Sequence, residues 1–326
     1  MFCSIIIPTI GRDTLTRAVH SVLNQTLTAE PFEVIVVNDS GRPLSPADWQ
    51  QSGQVHVLNT NQRERCVARN AGAAIARGTY LGFLDDDDWL LPDALAHFWA
   101  LAQQTPEAAW LYGTIQIVDE ATGACLAEIN SGLSCNCFAQ IMGGAWAPIQ
   151  ASLIRSQTFF AVGGYNPLII GTEDLDLCRR IAFHGDFANI PAPIACLSRG
   201  DSWRTSTDYG RAPTDILWSR NNVLSEPGTY TRLRESVNSP YWYGRIVRVY
   251  LSIVRWNWQQ KQFTTALSRT LFTVAWMLSA GRHLLSGDFW QGVKAHHVPD
   301  SLHFIVKELE EARSMQKTDP SYREQK

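Results

Sequence analysis

The stretch Tyr80-Leu81-Gly82-Phe83-Leu84-Asp85-Asp86-Asp87-Asp88-Trp89-Leu90-Leu91-Pro92 sets an apolar run directly against four consecutive carboxylates. Residues 80 to 84 fit a strand buried on both faces, and Pro92 suits the first turn of a helix running to about Gln104. The same alternation extends outward in both directions. Ser4 to Ile7, ended by Pro8, reads as a first strand, and Asp13 is placed to cap a helix in which Leu15, Ala18, Val19, Val22 and Leu23 recur at helical spacing. Phe32 to Val37 predicts a second strand that runs into the polar loop Asn38-Asp39-Ser40-Gly41. Val55 to Leu58 predicts a weaker third, and Cys66 to Ala76 an Ala-rich helix closed by Gly78. Trp110 to Val118 follows, with a hairpin expected around Glu120 to Gly123. Strands alternating with helices imply an α/β domain, a Rossmann-type mostly parallel sheet flanked by helices. Ligands of such sheets sit beyond the carboxyl ends of the strands, where Thr9, Asp39 and Asp85 to Asp88 all fall.

The chain has 326 residues, 45% hydrophobic and 18% charged, enough to bury a large core. A net charge of -3 argues against a protein that coats nucleic acid, but the sum conceals a division. Residues 1 to 230 hold 14 Arg, no Lys and 23 acidic groups, whereas residues 231 to 326 hold 14 basic and 8 acidic groups. Because the first Lys is Lys261, no earlier residue can supply a Schiff-base amine or the Lys of a phosphate-binding P-loop. Seven Cys form no CxxC pair, which gives neither a zinc site nor a disulfide framework and suits a reducing compartment. The apolar run Cys3 to Ile7 has no basic residues before it and reads as a strand rather than a signal peptide.

Four adjacent carboxylates repel one another unless a cation compensates. In an extended segment Asp85 and Asp87 share one face, a DxD pair whose oxygen donors suit Mg2+ or Mn2+; the competing reading is a solvated acidic turn whose last Asp caps a helix. Glu173-Asp174-Leu175-Asp176-Leu177 reads as an acidic helix start, with Gly171-Thr172 available as the cap and the dipole favouring carboxylates. Asp176 is placed to pair with Arg179 or Arg180 on the same helix. His184 reads as a core or surface histidine, Cys135 and Cys137 as unrelated thiols, and Trp146 as either a ligand-stacking or a core aromatic.

Taken in order, these segments resemble the inverting glycosyltransferases of family 2, which have the GT-A fold. The resemblance is carried by Cys3 to Thr9, by Ala18 to Thr26, and by Val34 to Ser40 with Asn38 where the family has a first Asp. It continues through Ala68-Arg69-Asn70-Ala71-Gly72, Phe83 to Asp88, Gly163-Gly164-Tyr165 and Glu173 to Leu177, covering roughly residues 2 to 200. It implies transfer of a sugar, with inversion, from a nucleotide-diphosphate sugar, UDP-sugars being favoured, to a saccharide or lipid-linked acceptor in bacterial-type cell-surface polysaccharide or glycolipid synthesis. On that resemblance Thr9 and Asp39 hold the base and ribose, Arg69 helps close the nucleotide pocket, and Asp85 contacts the ribose. Asp87 ligates Mn2+ or Mg2+, Asp174 is the general base and Glu173 binds the acceptor. The His that many relatives carry after the base helix is missing from Leu197 to Arg204, where Asp201 is the alternative ligand and Arg199 or Arg204 could meet the diphosphate. The division implied is a catalytic domain at 1–230, its nucleotide-binding half about 1–120 and its acceptor-binding half about 121–230, followed by a helical region at 231–326.

That second region is basic and aromatic. Tyr241-Trp242-Tyr243 opens a segment with Ile246, Val249, Tyr250, Ile253, Val254 and Trp256 at helical spacing, and the basic groups of residues 241–297 face only Asp288. Such helices either lie on an anionic membrane surface or pack as an appendage. Thr270 to Gly281 is uncharged but too short to span a bilayer, so no transmembrane helix is expected. A surface helix at 301 to 313 and a polar tail complete the chain, and the expected location is cytoplasmic, peripheral at the inner face of the plasma membrane. Two other functions compete. A sugar-nucleotide pyrophosphorylase needs a Gly-rich loop with a basic phosphate binder after the first strand, which Pro8-Thr9-Ile10-Gly11-Arg12 matches poorly. A non-catalytic nucleotide-binding or scaffold homologue at the membrane has no need of both the DxD pair and Asp174.

Overall fold

The computed structural model describes residues 1–169, 171–199 and 212–295. Contacts divide the chain into two units, one of residues 1–141 and 147–237, the other of residues 142–146 and 238 onward.

The first unit is built on one sheet. In chain order its elements are β1 (Cys3–Thr9), α1 (Leu15–Leu23), β2 (Phe32–Asn38), β3 (Val55–Asn59), α2 (Arg65–Ile75), β4 (Tyr80–Phe83), β5 (Trp89–Leu90), α3 (Ala94–Gln104), β6 (Trp110–Asp119) and β7 (Cys125–Ile129). There follow α4 (Phe138–Met142), β8 (Ser152–Arg155), α5 (Ser156–Ala161), α6 (Glu173–His184), β9 (Phe187–Arg199), α7 (Ala212–Leu224) and α8 (Thr229–Arg234). The strand order is β3-β2-β1-β4-β8-β6-β9-β5, with β7 paired to β6. β3, β2, β1 and β4 run parallel; β8 is antiparallel to both neighbours, and beyond it β6 and β9 pair in parallel.

Residues buried on both faces make the parallel half. β2 is buried throughout, and β1 is buried except at Pro8. Register then positions the site: Thr9 lies opposite Asn38 and Ile6 opposite Phe83, so the loops after β1, β2 and β4 leave the sheet side by side. The far end is tied by polar groups, where Glu33 accepts from Ser4 Oγ at 2.7 Å and from Arg77 Nη2 at 2.6 Å.

Three local expectations change. Asp13 does not cap α1, which begins after Thr14 with no side-chain cap. α2 starts after Glu64, whose carboxylate accepts from the N–H groups of Cys66 and Val67, and its C-cap is Ala76. Gly78 instead lets the chain pass against β1, because a Cβ there would lie 2.4 Å from the Ser4 nitrogen.

The second unit contains α9 (Ser239–Gln259), α10 (Phe263–Ala280) and α11 (Gly287–Lys294). α9 and α11 cross backbone against backbone: a Cβ on Gly244 would lie 2.0 Å from the Phe289 carbonyl oxygen, and one on Gly292 2.0 Å from that of Tyr241. α10 packs on α9 through Trp276, whose ring stacks on Tyr250 at 6.3 Å. No helix among the described residues is long and apolar enough to cross a membrane. The helix expected at 301 to 313 lies outside the described residues.

Candidate active site

The four carboxylates after β4 form a turn rather than an extended segment. Asp88 N–H donates to the Asp85 carbonyl at 3.1 Å, which replaces the expected alternation of faces. Asp86 is turned aside and buried, accepting from Thr9 Oγ1 at 2.5 Å and from Arg12 Nη1 at 3.0 Å. Asp85, Asp87 and Asp88 each bring a carboxylate oxygen within 4.8 Å of the others. Three hard anionic oxygens so disposed are the donor set of a divalent cation such as Mg2+ or Mn2+, and the cluster could hold one. Asp88, which the sequence offered only as a helix cap, thus joins the DxD pair; its Oδ1 also accepts from Ser198 N–H at 3.1 Å. Arg12 donates to Asp87 Oδ2 at 2.7 Å, and Arg17, lying over the Trp89 ring at 4.1 Å, donates to the Asp87 carbonyl.

Thr9 and Asp39 sit at the carboxyl ends of β1 and β2 as expected, but both are engaged by protein. Buried Asp39 accepts from Thr60 Oγ1, Gln62 N–H and Glu64 N–H at 2.7 to 2.8 Å, bonds that order the loop entering α2. Burial works against its charged form, yet these donors outweigh it and keep the carboxyl below its usual range.

Arg69 is the centre of the site. It is 2% exposed, projects from α2, and donates through Nη2 to Asp85 Oδ1 at 2.8 Å and through Nη1 to Glu173 Oε1 and Asp174 Oδ1, both at 3.3 Å. Its guanidinium carbon lies 5.1 Å from the Tyr165 ring centre. One buried cation therefore joins the acidic turn after β4 to the first residues of α6. The next residue fixes that approach: Asn70 donates to the Tyr165 carbonyl and accepts from its N–H, at 2.8 and 2.9 Å, behind Gly163 and Gly164 at φ +81° and +65°.

The three carboxylates around Arg69 differ electrostatically. At Asp85 burial opposes ionisation, but Arg69 outweighs it and holds the carboxyl below its ordinary value, assisted by Gln150 Nε2 at 3.2 Å. At half-buried Asp174, ringed by protein, burial dominates; Arg69 pulls the other way, Glu173 and Asp85 add repulsion, and the carboxyl is pushed up to about 7. Asp86 rises to about 6, chiefly through burial and against the bond from Thr9. Glu173 is 3% exposed and is also met by Arg65 at 3.3 Å. Asp176 pairs with Arg180 at 2.6 Å, a contact within α6. Thr172 occupies the N-cap position of that helix, but its side chain makes no cap hydrogen bond. The buried Arg69 Nε and Tyr165 hydroxyl lack hydrogen-bond partners, so the polar centre is incompletely satisfied by protein alone.

His184 is exposed at the C-terminal end of α6, all seven cysteines are free, and Trp146 is half-buried in the second unit. Asp201 and Arg204 lie outside the described residues, as does the side chain of Arg199. Arg12, Arg17 and Gln150 are the site residues that sequence reasoning missed. Arg12 was within reach, three residues beyond Thr9; Gln150 belongs to no motif.

A parallel half-sheet, a carboxylate turn at its carboxyl edge and an acidic helix start bridged to it make up an architecture of GT-A type. The Glycosyl transferase family 2 model matches residues 4–131, and that segment is similar to glycosyltransferases of the family. An uncharacterized glycosyltransferase of Haemophilus influenzae is 28% identical over 230 residues, covering 68% of this chain and 76% of that protein. The poly(ribitol-phosphate) beta-N-acetylglucosaminyltransferase TarP of Staphylococcus aureus is 35% identical over 99 residues, 28% of this chain and 30% of TarP. Among solved structures, S. aureus TarS 1-349 in complex with UDP-GlcNAc superposes with a TM-score of 0.61 at 15% identity, covering 84% of this chain and 82% of that one.

Proposed function

We propose that the first unit transfers a sugar from a UDP-sugar to an acceptor hydroxyl with inversion at the anomeric carbon, in cell-surface polysaccharide or glycolipid synthesis. The observation that carries this reading is the Arg69 bridge, which sets Asp174, at about 7, across from the acidic turn. A carboxylate poised near neutral pH suits a general base. Asp174 accepts the proton of the acceptor hydroxyl as that oxygen bonds to the anomeric carbon, and the bond from that carbon to the diphosphate breaks on the opposite face. A divalent cation, Mn2+ or Mg2+, when held by Asp85, Asp87 and Asp88, supplies neutralisation of the charge developing on the diphosphate.

Thr9 and Asp39 lie on the nucleotide side, Asp39 by shaping the loop at 60–64. Arg69 positions Asp85 and Asp174 together. Glu173, the acceptor-side residue of the resemblance, is buried against Arg65 and Arg69, so its acceptor role is exerted by fixing the base helix. The UDP-GlcNAc named with TarS and the polymer named with TarP support the donor and acceptor classes. The basic second unit supports a location at an anionic membrane face.

The test is nucleotide-diphosphate release from a panel of UDP-sugars with Mn2+ or Mg2+, with and without acceptor saccharides. Asp174→Asn is expected to lower turnover by roughly a hundredfold or more while donor affinity changes only a few-fold. Normal turnover in that variant removes Asp174 as the base, and absence of both donor hydrolysis and metal-dependent nucleotide binding in the parent chain removes the enzymatic reading.

A further inference from the structure

We infer that the outward face of α10 lies in the interface of an anionic lipid bilayer. On this helix Ala266, Thr273, Trp276 and Ala280 are buried on the side packed against α9. The opposite side carries Phe263, Leu267, Leu271, Val274 and Leu278, with 53%, 65%, 66%, 47% and 73% of their surface exposed. Steps of four, four, three and four residues place these five on a single helical stripe, and 18 residues extend it over about 27 Å. Scattered apolar groups on a surface are ordinary; a continuous row of large ones is an interaction face.

The location of the row differs from what the sequence pattern suggests. The Tyr- and Arg-rich start of α9 has the composition of a membrane-surface helix, but its Tyr243, Ile246, Val247 and Tyr250 are buried by packing. α10, with a single basic residue, carries the free face. Its hydropathy and length do not support a span, so the helix lies along the interface plane.

Charge selects the occupant. Arg255, Lys261, Arg282 and Lys294 are exposed around this helix system, and Arg269 lies on α10 itself with its guanidinium 5.8 Å from the Phe272 ring centre. Asp288 is the single acid among the described residues of the unit. Exposed Trp256, Trp258 and Trp290 add indole rings of the kind enriched at the headgroup level. A second copy of the chain would bring like charges together, whereas anionic headgroups neutralise them while the acyl boundary takes up the leucines.

The test is cosedimentation of the full chain with phosphatidylcholine vesicles lacking or containing phosphatidylglycerol, at low and high salt, beside sedimentation velocity without lipid. Binding is expected only to the anionic vesicles, weakening with salt. The triple variant Leu267→Glu, Leu271→Glu, Leu278→Glu changes only exposed positions and is expected to lose binding by roughly tenfold or more with an unaltered melting curve. Replacing Arg255, Lys261 and Arg282 by Gln is expected to weaken binding and flatten the salt dependence. Absence of binding by the parent chain, equal binding to neutral vesicles, or undiminished binding by the Leu variant overturns the proposal. An oligomer that the Leu variant dissociates, in a chain that ignores vesicles, assigns the face to self-association. None of these outcomes depends on the proposed transfer activity, which donor turnover reads separately.

Discussion

Replacing Arg69 by Met keeps an apolar chain of similar reach and removes the cation that three carboxylates share. At an N to O distance of 3.3 Å, a unit charge pair is worth about 5 kcal/mol at an effective dielectric of ~20 and about 1 kcal/mol in bulk water. Asp174 retains 36% of its side-chain exposure, so its coupling to Arg69 falls between these limits. Even about 1.4 kcal/mol is enough to move a titration by one pH unit. The sign is fixed: Arg69 favours the charged carboxylate, so its loss raises the pKa of Asp174 above about 7. The base must be deprotonated to act, so the acid limb of kcat/KM moves to higher pH by about one unit or more. Stability falls too, by about 3–5 kcal/mol, because buried Glu173 and half-buried Asp85 lose a shared partner. The assay is the pH profile of nucleotide release for parent, Arg69→Met and Arg69→Lys, with urea denaturation of each. Lys restores charge without the planar fork and is expected to return most of the acid limb but less of the rate. An acid limb unchanged in Arg69→Met would refute the argument that Arg69 tunes Asp174.

Two further outcomes follow from other charged contacts. Arg12 sets a guanidinium 2.7 Å from Asp87 and 3.0 Å from Asp86, where it competes with any cation drawn to the turn. Arg12→Ala is expected to tighten Mn2+ binding by the nucleotide-free chain several-fold, read by electron paramagnetic resonance; weaker binding would show that Arg12 shapes the turn rather than competing for it. At the other end of the sheet, burial raises the Glu33 pKa, but the bonds from Arg77 and Ser4 outweigh burial and leave it below the usual value. Its contribution to stability is therefore present above the unfolded-state value of about 4.3 and is lost as pH falls through the lower folded value. Glu33→Gln is expected to cost about 1–3 kcal/mol at pH 7, and the difference from the parent should shrink as pH approaches the folded value. A difference independent of pH would mean that shape rather than charge matters there.

The legible parts of the chain are those where a local pattern has one physical outcome. β1 and β2 were readable because strands buried on both faces must be apolar almost throughout, and β-branched runs ended by Pro8 or Asn38 have few other uses. The ordered motifs likewise brought Thr9, Asp39, Arg69, Asp85 and Asp174 to one neighbourhood. The acidic run was misread because alternation assumes an extended backbone, and the turn is made by one backbone bond from Asp88 to Asp85 that no side-chain pattern encodes. The caps of α1 and α2 were misplaced for the same reason. Asp13 and Gly78 satisfy the residue preferences of caps, yet the chain uses Gly78 for a close approach to β1.

The part that could not be read is the one that organises the site. Arg69 and Glu173 are separated by 104 positions, and nothing in either motif states that one guanidinium serves both the acidic turn and the start of α6. Their meeting depends on three levels at once. Parallel register aligns the ends of β1, β2 and β4; α2 returns Arg69 to that edge; and the Asn70 to Tyr165 bonds hold the segment that leads into α6. Arg69 favours the charged form of both carboxylates less than 3.5 Å from it, yet the two end on opposite sides of their ordinary value. Asp85, bonded at 2.8 Å and supported by Gln150, stays charged, while Asp174, at 3.3 Å and beside Glu173, is left near 7. Burial, dominant at Asp174 and joined there by a longer bond to Arg69 and repulsion from Glu173 and Asp85, separates it from Asp85, which Arg69 holds below the ordinary carboxylate value. The same residue type thus divides into two roles through packing, which explains why the sequence could nominate both aspartates but not how they are made different.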